Sequence, residues 1–184
     1  MNKLKRAALV LLTIACMFSL CSCISLLSLR EKQLNALAAE ESGLITEKSE
    51  EIIRCLTEGD KEGFAALFCE EVRASSRFAD DVDAVFAYFP CEAYITSQIE
   101  DFAGGTESRE GGKRTEWSLS PEIPYIQILQ PSADDPETLH DRYYSVWYDW
   151  TLVDEEHPEW VGLRRFTITL LNSDDSAVVG LDYE

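Results

Sequence analysis

The hydrophobic period of the chain changes at Pro90, and this change constrains the fold more than any other feature. Before Pro90, apolar residues recur three and four positions apart, which is the spacing of one helix face. After Pro90, apolar and polar residues alternate, which is the period of a β-strand. Helices followed only by strands are typical of α+β domains, in which helices cover one face of an antiparallel sheet.

Three amphipathic helices are predicted before Pro90. The first ends near Gly59, and Asp60 is placed to cap the second. The third is introduced by Asp80 and Asp81 and is stopped by Pro90. The apolar stripes of the three helices are Ile45, Ser49, Ile52 and Leu56, then Phe64, Leu67 and Phe68, and finally Val82, Val85, Phe86 and Phe89.

The segment after Pro90 predicts antiparallel strands joined by hairpins. The clearest alternation lies in residues 144–152, which are expected to pair with residues 161–171 across an acidic turn. The glycine-rich residues 104–112 predict a flexible hairpin loop. The other predicted strands are residues 93–101, residues 113–119, a separate short strand at residues 125–129 between Pro124 and Pro131, and residues 177–182 after a turn at residues 172–175.

The N-terminus is typical of a bacterial export signal. A cationic segment, residues 1–6, precedes the uncharged apolar residues 7–20, which are short for a membrane span but have the length of a signal-peptide core. The motif Leu-Cys-Ser-Cys that ends at Cys23 resembles the lipobox of bacterial lipoproteins, whose cysteine is acylated and becomes the mature N-terminus. Cys21 does not fit, because Leu20 would then precede the cleavage site, where a small side chain is needed. An uncleaved anchor and an ordinary secretory signal are the alternatives.

These features divide the chain into three parts. We expect a signal peptide over residues 1–22, a lipidated Cys23 with a tether through residue 43, and a single α+β domain over residues 44–184. Two or more acyl chains hold a protein stably on a bilayer, whereas one chain binds only marginally. The mature protein is therefore expected to be a lipoprotein on the extracytoplasmic face of the cell membrane, with the membrane as its first partner.

The chain is strongly acidic, with 34 Asp and Glu residues against 16 Lys and Arg residues. Removal of Lys3, Lys5 and Arg6 with the signal peptide leaves 13 basic residues and a net charge of −21. A polyanion of this kind repels phosphate backbones, so nucleic acid is excluded as a partner. An acidic surface favours cationic partners or divalent ions instead.

Three cysteines remain in the predicted domain, namely Cys55, Cys69 and Cys91. An odd number without a C-x-x-C pair predicts neither a disulfide framework nor a zinc site. Cys55 and Cys69 are able to form one disulfide if their helices are adjacent and antiparallel, but buried free thiols are the preferred interpretation. The sequence predicts no cofactor and no metal site.

The predicted domain resembles a family of uncharacterised Gram-positive lipoproteins with the nuclear-transport-factor-2-like, or cystatin-like, fold. The resemblance spans residues 44–183 and rests on the order of the elements, on the paired strands within residues 143–163, and on the motif Leu56-x-x-x-Asp60-x-x-x-Phe64-x-x-x-Phe68. It implies a curved sheet wrapped around helices as a cone, with a pocket inside. Pro90 and Cys91 depart from it, because a glycine turn is expected there. The resemblance implies no reaction, since this fold hosts isomerases, binding modules and adaptors alike.

Few residues are candidates for a catalytic, metal-ligating or ligand-binding role. His140 and His157 lie in predicted loops that are rich in acidic residues. Each is a candidate general base or metal ligand, and the alternative is an ordinary solvated side chain. Asp149 is the one carboxylate predicted in the middle of a long aromatic strand. On a concave apolar face its pKa would rise and it would be a candidate general base, whereas on a convex face it is merely solvated. The candidate ligand-binding aromatic residues are Trp117, Tyr125, Trp147 and Trp150, for which core packing is the alternative explanation.

Three functions of different classes follow. The favoured hypothesis is a lipid-anchored, noncatalytic domain that binds a small ligand or an envelope protein. The second is an enzyme of the cone-isomerase type that uses Asp149 as its general base. The third is a structural or immunity-like spacer of the cell envelope.

Overall fold

The computed structural model of this protein describes residues 31–32, 34–99, 103–132, 135 and 137–180. The chain divides into two compact units, Met1–Gly43 and Leu44–Glu184. The described residues of the first unit are helical. Cys23 and the predicted signal peptide lie outside the described residues. Within the described part of the chain, no helix has the length and apolarity that a membrane span needs.

Four helices are described at the start of the second unit. They are α1, of which residues 44–58 belong to this unit, α2 (Lys61–Ala66), α3 (Glu70–Arg73) and α4 (Phe78–Tyr88). The predicted stripe of α1 is confirmed, because Ile45, Ser49, Ile52 and Leu56 are all buried.

The ends of α1 and α2 follow from their capping residues. Gly59 has a φ of 69°, and the N–H of Asp60 donates to the carbonyl of Cys55 at 2.9 Å, which is the Schellman pattern that ends a helix. The Asp60 carboxylate then accepts from the N–H of Gly63 at 2.8 Å, as the sequence predicted for an N-cap. This hydrogen bond, together with the Arg54 guanidinium, lowers the pKa of Asp60.

The second predicted helix is shorter than its apolar pattern indicates. After Ala66 the backbone leaves the helix and forms a bridge in which the N–H of Leu163 donates to the carbonyl of Leu67, and the N–H of Cys69 to the carbonyl of Leu163. Gly162 permits this close approach, since it has a φ of 127° and an added Cβ would lie 2.9 Å from the Cys69 nitrogen. A tertiary contact with a strand therefore divides one predicted helix into α2 and α3.

In the part of the chain that the structure describes, six antiparallel strands form one open sheet. The strands pair in the order β1-β3-β4-β5-β6, and β2 pairs with the first half of β3 beside β1. Their bounds are Ala93–Gln98 for β1, Ala103–Glu110 for β2, Lys113–Pro131 for β3, Leu139–Asp154 for β4, Gly162–Leu170 for β5 and Ser176–Gly180 for β6, with a short 3-10 helix, η1, at Pro158–Trp160. The prediction of an α+β fold with N-terminal helices on an antiparallel sheet is confirmed.

Two strand predictions were wrong. The glycine-rich loop is strand β2 for most of its length, and only Gly111 and Gly112, with φ values of 56° and 87°, form the turn. A side chain at Gly105 would meet the carbonyl oxygen of Ser118 at 2.5 Å, so this glycine serves close strand pairing rather than flexibility. The predicted separate strand at residues 125–129 is the second half of β3, because a register shift between Ile123 and Ile126 absorbs the proline.

The core fills the space between the helices and one face of the sheet. Phe64 packs edge to face against three rings, with centroid distances of 5.3 Å to Phe68, 5.5 Å to Phe86 and 4.9 Å to Phe166. Tyr148 is fully buried, and its hydroxyl lies 2.9 Å from the hydroxyl of Ser49 in α1. We call the sheet face that bears Tyr148 the inner face and the opposite one the outer face.

The three cysteines of the domain are free thiols. Cys55 and Cys69 are buried, and Cys91 is half-buried. Burial raises the pKa of the Cys55 and Cys91 thiols, so both favour the neutral form. The Cys55–Cys69 disulfide that the sequence left open is absent from the structure.

Candidate functional site

Asp149 lies on the outer face of the sheet. Its carboxylate accepts a hydrogen bond from the Ser120 hydroxyl at 2.6 Å, and its partner position on β5 is Arg165. It lines a polar recess of about 220 Å³ together with Ser118, Ser120, Thr151 and Arg164. The carboxylate therefore faces away from the apolar interior, and it has polar neighbours.

The four candidate aromatic residues do not line one pocket. Trp117 and Trp150 are buried on the inner face, where the Arg114 guanidinium lies 3.8 Å from the Trp117 ring centre and Lys48 Nζ lies 4.9 Å from that of Trp150. Tyr125 and Trp147 lie on the outer face. Tyr125 packs on Tyr143 at 5.4 Å, and Arg165 lies 5.7 Å from the Trp147 ring. The sheet thus separates the four residues into two pairs.

A larger cavity lies at the end of the sheet where the β2–β3 hairpin meets the β4–β5 connection. It measures about 480 Å³, and we call it the acidic cleft. The residues that line it are Ser108, Glu110, Thr115, Glu116, Asp154, Glu155, Glu156, His157 and Trp160. Five of these carry carboxylates.

The pairing of β3 with β4 and with the turn that follows it positions the two walls of the acidic cleft. Glu116 of β3 pairs with Asp154 at the end of β4, and the N–H of Glu155 donates to the carbonyl of Thr115 at 3.0 Å. The Asp154 carboxylate accepts from the N–H of Glu156 at 3.1 Å and from that of His157 at 2.8 Å. An aspartate that bonds the backbone two and three residues ahead fixes a tight turn. The acidic turn is thus held rigidly against the hairpin.

An aromatic stack forms the base of this turn. The rings of His157 and Trp160 stack with their centroids 3.9 Å apart and an interplanar angle of 20°. The Arg164 guanidinium lies 4.4 Å from the Trp160 ring, and its Nη2 is 3.7 Å from the carboxylate of Glu71. This stack joins the turn to α3.

His140, the other candidate, is an exposed residue of β4 opposite Gln130.

The charge of the acidic cleft is only partly balanced. Lys113 pairs with Glu155 at the hairpin turn, and the Ser108 hydroxyl donates to Glu116 at 3.2 Å. Beside it on the hairpin, a hydrogen bond from Arg114 at 2.6 Å and one from Arg109 lower the pKa of Glu107, so those two cations are already engaged. Among the described residues, no three His, Cys, Asp or Glu side chains converge closely enough to hold a metal ion. The carboxylates instead surround an open space.

One comparison with known proteins gives a family. The model of a family described as a domain of unknown function, DUF5104, matches residues 51–171. The chain belongs to this family. The matched residues extend from α1 to the end of β5 and include both walls of the acidic cleft. No curated protein matches the chain.

Sequence reasoning missed the acidic cleft. The acidic residues 154–156 are evident in the sequence, but their pattern predicts only a turn. Glu110 and Glu116 join it because β2 and β3 form a tight hairpin whose end lies beside β4. The signal was the pair of glycines flanked by alternating residues, which indicates a two-residue hairpin.

Proposed function

We propose that this protein is a lipid-anchored extracytoplasmic domain that binds a ligand carrying two or more protonated amines in its acidic cleft, without catalysing a reaction. The observation that carries this proposal is the cleft itself, in which five carboxylates line a cavity of about 480 Å³. Free polyamines and the lysine side chains of a protein segment share this chemistry.

Electrostatics supports a cation as the ligand. Carboxylates on two facing walls repel one another when the space between them holds only water, and a cation between them relieves that repulsion. The net charge of −18 extends the attraction beyond the cleft and raises the rate at which a cation arrives. Both effects weaken as salt screens the charges.

The surroundings of Asp149 favour binding over catalysis. A general base of the cone-isomerase type needs an apolar cavity that raises its pKa. Asp149 instead bonds Ser120 on the outer face, and fully buried side chains such as Tyr148 and Phe166 fill the inner face. The enzyme hypothesis is therefore the weaker alternative.

The family assignment of the sequence belongs to the same proposal. We infer that the domain is a variant of the nuclear-transport-factor-2-like, or cystatin-like, cone of Gram-positive lipoproteins. Helices on one face of an open sheet with two long strands, β3 and β4, support this inference. The lipobox that ends at Cys23 supports the anchor.

The anchor is tested by Cys23→Ala. We expect the wild-type chain to incorporate a radiolabelled fatty acid in cells and to sediment with membranes, and the variant to lose the label. Cys21→Ala is the matched control and should keep it. Retention of label in Cys23→Ala would contradict the anchor.

Ligand binding is tested by titrating the protein with spermidine in a calorimeter at low salt. The double variant Glu110→Gln, Glu156→Gln removes two exposed cleft carboxylates and should weaken binding about thirtyfold, since each charge contributes about 1 kcal/mol at contact distance in water and the two together about 2 kcal/mol. The matched control Glu62→Gln, Glu70→Gln changes the net charge equally at exposed helical positions. Equal weakening in both variants would show a diffuse ion atmosphere instead of a site.

A further inference from the structure

An open sheet leaves strand edges whose backbone groups have no neighbouring strand, and such edges pair readily with other chains. The edges of the described sheet are β1 and β2 on one side and β6 on the other. Proteins protect such edges with short strands, charged side chains or covering helices. Strands β2 and β6 are protected in one of these ways, whereas β1 differs from them.

Two of the edges carry a recognised form of protection. Strand β6 has five residues and packs against α4, where the Tyr88 hydroxyl donates to the carbonyl of Asp175 and accepts from the N–H of Leu170 at 3.0 Å. Strand β2 carries Glu107, Arg109 and Glu110, so a strand placed beside it would meet charged side chains.

Strand β1 carries no charged side chain, and five of its six residues are exposed among the described residues. Its sequence, Ala-Tyr-Ile-Thr-Ser-Gln, contains β-favouring residues and no charged residue or proline. Tyr94 is 45% exposed and Ile95 is 43% exposed. Its pairing with β3 shifts register between Tyr94 and Thr96, so Ile95 has no partner on β3. A bulge at a sheet edge redirects side chains, and both large apolar residues at this bulge, Tyr94 and Ile95, are exposed.

We propose that β1 binds an extended segment of a partner protein as an added strand, and that this segment is uncharged and β-favouring at its centre and basic at its ends. Main-chain hydrogen bonds supply the affinity in this mode of recognition, and side-chain contacts supply the specificity. The apolar pair Tyr94 and Ile95 provides the side-chain contact.

Charge decides between a basic partner and a second copy of this chain. Glu92 stands directly before β1, and the whole chain carries a net charge of −18. A second copy brings the same charge to the same edge and is repelled, whereas lysine or arginine beside the strand is attracted. The partner segment is therefore basic. This inference does not depend on the acidic cleft, which lies at a different part of the sheet.

The test uses the full chain in detergent micelles and the labelled peptide Lys-Lys-Val-Thr-Val-Thr-Val-Lys-Lys. Fluorescence anisotropy measures its binding, and hydrogen exchange with mass spectrometry locates it. We expect slower amide exchange in residues 93–98. A control peptide with proline in place of the central valine keeps the charge but cannot complete the ladder, and should bind at least about fivefold more weakly.

Ile95→Asp separates strand addition from charge attraction. The added carboxylate would strengthen a purely electrostatic contact with the lysine-rich peptide, but it places a charge in the apolar contact and should weaken an added strand. Val161→Asp, at a residue that is 44% exposed in the β4–β5 connection, is the matched control and should bind as the wild type does.

Four results would overturn the proposal. They are equal binding of the proline peptide, protection confined to the acidic cleft, unchanged or tighter binding by Ile95→Asp, and a dimer in sedimentation without peptide that Ile95→Asp dissociates. If Ile95→Asp does not fold, hydrogen exchange in the wild-type protein still decides the question, because it shows whether the peptide protects residues 93–98.

Discussion

At the scale of single residues, two hydroxyls buried in the core are paired with each other. Ser49 and Tyr148 are both fully buried, and their hydroxyls form a hydrogen bond at 2.9 Å that joins α1 to β4. The Tyr148 hydroxyl also reaches the carbonyl of Ile45 at 3.4 Å. A buried hydroxyl without such partners would cost about 1–3 kcal/mol. The pair therefore fixes the position of α1 on the sheet.

Tyr148 makes the stability of the fold depend on alkaline pH. Burial raises the pKa of Tyr148 to about 12, against 10.0 for an unperturbed tyrosine. The unfolded chain loses this proton first, so the contribution of Tyr148 to stability is complete below pH 10 and is lost as the pH rises through 12. We expect the free energy of unfolding, measured with urea between pH 9 and about pH 12, to fall less steeply in Tyr148→Phe than in the wild type.

Two controls belong to this prediction. Tyr144, whose pKa burial also raises to about 12, should behave similarly in Tyr144→Phe. Tyr94→Phe changes an exposed tyrosine and should leave the slope unchanged. Parallel curves for wild type and Tyr148→Phe would contradict the buried, neutral tyrosine.

At the scale of elements, the helices were easier to predict than the strands. The stripe of α1 and the cap at Asp60 are local patterns, and both are confirmed. The division between α2 and α3 depends on contact with Leu163, about a hundred residues away, and no local pattern contains it. Strand β3 was predicted as two pieces because its prolines normally mark strand ends, whereas pairing on both sides maintains the strand.

The candidate site shows the same limit. Alternation along β4 correctly placed Asp149 and Trp147 on one face and Trp150 on the other. The helices cover one face of the sheet, and which face they cover depends on tertiary contacts. The sequence alone therefore does not decide whether Asp149 faces the apolar interior or solvent. The acidic cleft needed the β3–β4 register, which brings Glu116 beside Asp154.

The β2–β3 turn offers a prediction in which two adjacent glycines respond with opposite signs. Both have positive φ and open space for a side chain, as in the two-residue turn that prefers Asn-Gly. Gly111→Asn keeps an allowed conformation and restricts the unfolded chain, so it should stabilise the domain by about 0.5 kcal/mol. Gly112→Val places a β-branched residue at a φ of 87° and should destabilise it by at least about 1 kcal/mol. Thermal unfolding of both variants measures the signs, and stabilisation by Gly112→Val would contradict the turn.

At the scale of the whole molecule, the chain carries far more negative charge than folding requires. Surface ion pairs such as Arg54 with Glu58 and Lys61 with Asp83 engage part of it on the helices. In the acidic cleft, five carboxylates share a space in which Lys113 pairs with one of them. Like charges held together destabilise the folded state, and this is the cost that the proposed cation binding would offset.

This explanation predicts that the cleft variant gains stability while it loses affinity. Glu110→Gln, Glu156→Gln removes repulsion between the cleft walls and should raise the free energy of unfolding by about 0.5 kcal/mol at low salt, with a smaller gain at 0.5 M salt because screening already reduces that repulsion. Glu62→Gln, Glu70→Gln should instead lower stability slightly, since these exposed residues do not line the cleft and lie in the first turns of α2 and α3, where a negative charge interacts favourably with the helix dipole. Urea unfolding of both double variants at two salt concentrations measures the difference. Destabilisation of the cleft variant would mean that its carboxylates support the hairpin, and they would then be structural residues rather than a binding site.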